Sequence, residues 1–287
     1  MIRRTVLLVV LATTVLPAVA GASSSPTLNR TELLKAAYPE WDGQRIELPD
    51  VAWPWAAESA KNTTSASDSD VVEIVPMNVI RLDDRHAVMV TWARPLADDG
   101  TPQCDSYGCL YAVGAYFFTL TESGWIVSRR DEVAAQVYTS GPLKSRVLAW
   151  PGHGYLLSMA LPFSAQGDEM DDVFLMGVQS DEVSFTGKIP IAESNSQSYE
   201  QDCNLFLDAK HEPRQRHGYE QGFECRSGEG KWRIDGDAIA VRYEQLIRGV
   251  DANGRLRALK HTIRDVRLVP EAGGLQVVSG ELPQFGF

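Results

Sequence analysis

The chain has few basic residues for its length. Its 287 residues include 27 Lys and Arg against 38 Asp and Glu, which gives a formal net charge of −11 at neutral pH. A surface of that sign repels nucleic acid and anionic lipid and attracts basic molecules. We therefore predict that the chain binds no nucleic acid, and that its partner is another protein of basic character.

Long apolar runs are also missing. The apolar stretch near the start, Thr5–Leu16, is shorter than the roughly 20 residues that cross a bilayer as a helix, so we predict no membrane span. Arg3 and Arg4 precede this stretch and Ala18-Val19-Ala20 follows it, which is the order of a cleavable secretory signal peptide. We predict that residues 1–22 are removed and that the protein acts in the periplasm or the medium. The mature chain would then carry 25 basic and 38 acidic residues, a net charge of −13.

Familiar catalytic signatures are absent. The sequence contains no G-x-S-x-G, no S-x-x-K, no H-E-x-x-H and no glycine-rich phosphate loop, the patterns that mark common hydrolases and nucleotide-binding sites. We predict no cofactor and favour a protein that is not an enzyme. Two carboxylates that converge only in the fold could still cleave glycosides, so an envelope hydrolase is the alternative.

Cysteines are few but even in number: Cys104, Cys109, Cys203 and Cys225. An even count in an exported chain predicts two disulfides. Of the three possible pairings we favour sequence neighbours, Cys104 with Cys109 and Cys203 with Cys225, because each closes a small loop in polar sequence.

The segment between the last two cysteines offers a competing interpretation. Cys203, His211, His217 and Cys225 are the residue types that bind zinc. However, an oxidising compartment would pair the thiols first, and the nearby Arg214 and Arg216 disfavour a cation. We predict no metal here, and we expect this basic loop to be a candidate contact for a partner.

One acidic run forms the other candidate surface. Asp168, Glu169, Asp171 and Asp172 lie close together and could supply oxygen ligands for calcium, but the spacing and glycine of a calcium-binding loop are missing. We expect solvated residues at a hairpin tip, and we take them as candidates for binding a partner.

The region 23–70 predicts one short helix followed by irregular structure. Residues Leu28–Tyr38 have roughly helical apolar spacing, Asn29 or Thr31 can cap the start, and Pro39 ends the pattern. The following residues contain Trp41, Trp53 and Trp55. Their rings could stack on a carbohydrate or another small molecule, but we expect them to be packed against the protein.

From Val71 onward the sequence predicts β-hairpins. Apolar, β-branched segments alternate with turns roughly every 8–15 residues. The predicted strands are 71–82, 86–94, 110–121, 125–129, 147–150, 155–161, 173–178, 183–189, 238–247, 256–269 and 275–278. We predict an all-β fold of mostly antiparallel hairpins over 71–287, sandwich- or propeller-like, with one short amino-terminal helix and a possible internal boundary near 192–200.

The stretch from Cys104 to Gly187 resembles a group of uncharacterised periplasmic proteins of Gram-negative bacteria. The resemblance rests on the close cysteine pair Cys104 and Cys109, the apolar strand after it, and Gly124-Trp125-Ile126-Val127. Some proteins of that group are immunity proteins of antibacterial toxin systems. The resemblance implies an inhibitor or immunity protein for a basic toxin that attacks the envelope, and it implies no residue roles.

Overall fold

The computed structural model describes residues 28–55, 71–103, 109–140, 143–165, 168–194, 224–249 and 260–283. The signal peptide and four predicted site residues, Cys104, Cys203, Arg214 and Arg216, lie outside the described residues. Of the four residues of the zinc alternative, only Cys225 is described. These predictions therefore stay predictions. Within the described part, no helix is both long enough and apolar enough to cross a membrane.

The predicted amino-terminal helix is present as α1, Arg30–Ala37. The Asn29 side chain accepts hydrogen bonds from the backbone N–H groups of Thr31, at 2.9 Å, and Glu32, at 3.4 Å. This cap satisfies amide groups that the first helical turn leaves without partners. Leu33, Leu34 and Ala37 form the buried side of the helix.

The strands that the structure describes form two antiparallel sheets, and the all-β prediction is confirmed. The first has five strands in sequence order: β1 Arg45–Glu47, β2 Val71–Arg81, β3 His86–Pro95, β4 Cys109–Thr121 and β5 Gly124–Thr139. Every strand pairs with its neighbour in the chain, so short connections suffice.

The second sheet has eight strands, also in sequence order. They are β6 Lys144–Trp150, β7 Gly154–Ala165, β8 Asp168–Gln179, β9 Glu182–Ser194, β10 Glu224–Asp235, β11 Ala238–Gly249, β12 Lys260–Glu271 and β13 Gly274–Ser279. Strands β9 and β10 pair over three residues only. Both flank the predicted boundary near 192–200, yet they belong to the same sheet.

The eight-stranded sheet folds over on itself beyond this narrow junction. Leu275 of β13 lies against Gly187 of β9, where an added Cβ would be 2.8 Å from the leucine side chain. On the other side, the indole N–H of Trp150 in β6 donates to the Gly236 carbonyl after β10, at 3.0 Å. These contacts enclose a buried cluster that includes Phe185, Val241 and Trp150.

Two further apolar clusters hold the layers together. Helix α1 and the tryptophans of residues 41–55 cover one side of the five-stranded sheet. The other side packs against β7 and β8, with Val88 and Phe117 meeting Met159 and Phe174. The burial of these side chains is the main favourable contribution to the packing of the sheets.

Three elements were not predicted from the sequence: β1, the second half of β5, and β10. Strand β10 has the sequence ECRSGEGKWRID, which lacks a β-branched apolar run. Its inward positions are Gly228, Gly230, Trp232 and Ile234, and the ring of Tyr243 lies over Gly230. A strand that receives a neighbour's ring in place of its own side chain leaves little apolar signal.

Candidate functional site

An acidic cleft lies where β7, β8, β9, β10 and β11 come together. It has a volume of about 640 Å³. Five carboxylate side chains line this cleft, those of Glu169, Asp171, Glu193, Glu229 and Glu244. Of the described residues that line it, none is Lys, Arg or His.

Strand register explains why carboxylates from distant parts of the chain meet here. Asp171 pairs with Ala192, Ala192 with Glu229, and Glu229 with Glu244. Directly opposite residues of antiparallel strands have neighbouring side chains. The three-residue junction of β9 and β10 therefore places Asp171, Glu229 and Glu244 in one row across four strands. Glu169 lies in the next row, which continues through Ser194.

The cleft carboxylates repel one another, and polar neighbours at its rim offset part of this repulsion. Glu229 and Glu244 lie directly opposite each other, an arrangement that destabilises a sheet. Lys231 lies 3.6 Å from Glu229, and His261 Nε2 lies 2.8 Å from a Glu244 carboxylate oxygen. The Gln245 side-chain amide donates to Glu193 at 2.7 Å.

Asp171 differs from the other cleft carboxylates. Its side chain is exposed, and it has no ion pair or hydrogen bond to any residue that the structure describes. Partial burial raises its pKa above the usual value, and the charges of Glu169 and Asp172 raise it further. Asp171 is thus an uncompensated carboxylate in a site of strongly negative potential.

Asp172, the next residue in the same strand, has a different environment. It is 8% exposed and forms an ion pair with Lys188 Nζ. Successive side chains of a strand point to opposite sides, so Asp172 points away from the cleft when Asp171 faces it. Its charge also contributes to the raised pKa of Tyr243, whose principal cause is burial of the phenol. We assign Asp172 to the structure of the sheet and Asp171 to the site.

Of the predicted acidic run, the structure brings Glu169 and Asp171 into the cleft. The run lies in strand β8: Asp168 is the first residue after the β7–β8 connection and pairs with β7, and residues 169–172 pair with both β7 and β9. Asp168 begins this strand, and its side chain is not described. Sequence reasoning missed Glu193, Glu229 and Glu244, since only the three-dimensional pairing brings them near residue 171.

The tryptophans of residues 41–55 are buried. Trp41, Trp53 and Trp55 are 6%, 3% and 7% exposed, and the rings of Trp53 and Trp55 stack on each other with centroids 4.9 Å apart. Buried faces are not available for stacking on a carbohydrate. The expectation that they pack against the protein is confirmed, and the carbohydrate alternative loses the residues that suggested it.

Neither a group of side chains placed to hold a metal ion nor a free cysteine occurs among the described residues. No three His, Cys, Asp or Glu side chains among them are placed to hold a metal ion, and this includes the five cleft carboxylates. Cys109 and Cys225 are both disulfide-bonded. Cys104 and Cys203 lie outside the described residues, so the predicted pairing stays a prediction.

A second cavity, of about 600 Å³, lies beside the end of α1. Beneath it the hydroxyl of Tyr38 is 3.1 Å from that of the buried Tyr116 and donates to Glu132 at 3.1 Å. The Arg130 guanidinium lies over the Tyr38 ring, 4.9 Å from its centroid. Burial raises the pKa of both phenols, so they stay neutral at physiological pH. We interpret this network as the attachment of α1 to the first sheet.

Comparison of the chain with protein-family models, with curated proteins and with solved structures gave no match. The functional assignment therefore depends on the geometry and charge of the cleft.

Proposed function

We propose that this protein is a non-enzymatic binding protein of the bacterial envelope, and that its acidic cleft holds a basic segment of another protein. The observation that carries the proposal is the convergence of five carboxylates, from four strands, on one cavity that no described basic side chain lines. A Lys or Arg side chain of a partner would pair with Asp171, which has no ion pair to a described residue.

The charge of the whole chain supports the same kind of partner. A net charge of −11 attracts a basic protein at long range and speeds the encounter. The cleft would then select among basic partners, because it concentrates negative potential in a concave site. An inhibitor or immunity protein for a basic, envelope-targeting toxin fits this description, and the predicted signal peptide would place it in the compartment where such toxins act.

The dimensions of the cleft suit an extended basic segment. Residues two apart on one strand, such as Glu169 and Asp171, are about 7 Å apart, and adjacent strands are about 4.8 Å apart. The row from Asp171 to Glu244 crosses three strand intervals, a distance on the order of 14 Å. Several basic side chains of one extended segment could therefore contact separate carboxylates.

Binding of a fluorescent oligolysine peptide, followed by anisotropy, tests this proposal. The cleft variant combines Asp171→Asn, Glu229→Gln and Glu244→Gln. The matched control combines Asp50→Asn, Asp84→Asn and Glu122→Gln, three exposed carboxylates outside the cleft. Both variants lose the same charge, so long-range attraction is equal in the two.

Each exposed ion pair contributes about 0.2–1 kcal/mol. Loss of three pairs should therefore weaken binding by the cleft variant by roughly 3- to 150-fold, with a small effect in the control. Equal weakening of both variants would mean that the peptide is attracted by the net charge alone, and the proposal would be wrong.

The alternative function is hydrolysis of an envelope glycan, and one observation favours it. The pKa of Asp171 is raised beside a second carboxylate, Glu169, as expected of a general acid. Their Cα atoms, two residues apart on one strand, are about 7 Å apart, a backbone spacing that allows the carboxyl groups the separation of a glycosidase pair. Release of reducing ends from peptidoglycan by the wild-type protein, abolished by Asp171→Asn, would establish the hydrolase in place of the binding protein.

A further inference from the structure

The outward side of strands β10, β11 and β12 carries charge in an ordered pattern. We call this surface the outer face and define it by Glu229, Lys231, Arg242, Glu244, Ile263 and Asp265. All six residues are exposed. Strand register places them in two rows that run across β10, β11 and β12. The acidic row consists of Glu229, Glu244 and Ile263, and the basic row of Lys231, Arg242 and Asp265.

Each row sets like charges directly opposite each other. Glu229 of β10 lies directly opposite Glu244 of β11, and two residues further along β10, Lys231 lies directly opposite Arg242. Such cross-strand pairs destabilise a sheet. Lys231, at 3.6 Å from Glu229, and His261, at 2.8 Å from Glu244, offset part of this cost. Asp265 lies directly opposite Arg242, but no described residue forms an ion pair with Arg242. The monomer thus carries an acidic row beside a basic row without satisfying either completely.

This arrangement is complementary to itself. A two-fold axis that runs parallel to the rows, midway between them, places the acidic row of one molecule over the basic row of a second. Glu229 then meets Lys231 of the second copy and Glu244 meets its Arg242, and symmetry repeats both pairs. A face used by both copies is the interface of a two-fold dimer.

We propose that the outer face is a self-association surface, occupied by a second copy of this chain. Charge complementarity between the rows selects this occupant. A basic segment pairs favourably with the acidic row alone and an acidic segment with the basic row alone, whereas a second copy pairs with both rows. Ile263, which is 48% exposed at the end of the acidic row, would face Asp265 of the second copy, so the favourable contacts are the pairs of Glu229 with Lys231 and of Glu244 with Arg242.

Self-association also bears on the acidic cleft, since Glu229 and Glu244 line it. The dimer would cover these two carboxylates and would compete with a basic partner. The dimer does not depend on the binding function, because it is measured with the purified chain alone. Its failure would leave the oligolysine result unaffected.

Charge reversal gives a decisive experiment. One variant, Glu229→Lys with Glu244→Lys, makes both rows basic, and the other, Lys231→Glu with Arg242→Glu, makes both rows acidic. Sedimentation velocity over a range of concentrations should show reversible dimerisation of the wild type and its loss in each variant. An equimolar mixture of the two variants should form dimers again, because their faces are now complementary.

Control variants change net charge by the same amount elsewhere. Asp84→Lys with Glu122→Lys matches the first variant, and Lys35→Glu with Lys144→Glu matches the second; all four residues are exposed. The controls should associate as the wild type does, and circular dichroism should show that every variant is folded. A monomeric wild type, or a mixture that associates no more than its components, would overturn the proposal.

Discussion

Replacing Asp171 by Asn should stabilise the fold at neutral pH, whereas replacing its neighbour Asp172 should destabilise it. The Asp172–Lys188 ion pair provides a quantitative test of this difference. The Asp172 side chain is 11% exposed and that of Lys188 is 58% exposed. Exposed ion pairs contribute about 0.2–1 kcal/mol, whereas breaking a fully buried pair costs about 3–5 kcal/mol. Lys188→Met leaves the carboxylate buried and unpaired, so we expect a loss of about 1–3 kcal/mol.

The double variant makes the reasoning refutable. Asp172→Asn alone should cost about 1 kcal/mol, since an amide forms a weaker bond to the ammonium group. Added to Lys188→Met, the same change removes the uncompensated charge, so the double variant should be more stable than Lys188→Met alone. Urea denaturation at neutral pH, followed by the fluorescence of the seven tryptophans, measures each difference. A double variant less stable than Lys188→Met would refute this account of Asp172.

Two further predictions concern the cleft strand and its packing. Asp171 has a pKa raised above its ordinary value of 3.8, and a carboxyl whose pKa is higher in the folded state loses stability as the pH rises through that pKa. Asp171→Asn should therefore be more stable than the wild type at pH 7, with a difference that narrows as the pH approaches 4; a constant difference would contradict the cause assigned. Gly177→Ala would place a Cβ 2.2 Å from the buried ring of Phe185 and should cost about 1–3 kcal/mol in urea denaturation. Phe185→Leu in the same chain should recover part of that loss, and an alanine variant as stable as the wild type would show that the ring can move freely.

The fold was largely predictable because most strands carry a local signal. Strands β2, β3 and β4 are rich in apolar and β-branched residues, and the structure places them at nearly the predicted boundaries. The helix was predictable because Asn29 both caps it and precedes its apolar spacing. Strand β10 was not predicted, because glycines occupy two of its inward positions and the ring of Tyr243 fills the space at Gly230.

The cleft could be predicted only in part. The acidic run at 168–172 identified Glu169 and Asp171 but could not separate Asp171 from Asp172, since that distinction depends on which side of the sheet each residue faces. Glu229 and Glu244 come from sequence more than 50 residues away, and their proximity depends on the three-residue pairing of β9 with β10. Nothing local in the chain encodes that pairing.

The most direct test of the central claim is the oligolysine affinity of the cleft variant and its charge-matched control, measured from low to high salt. For the wild type and the control we expect tight binding at low salt that weakens as salt screens the charges. For Asp171→Asn, Glu229→Gln and Glu244→Gln combined, we expect weak binding with a smaller dependence on salt. Identical affinities and salt dependences for the cleft variant and the control would contradict the account.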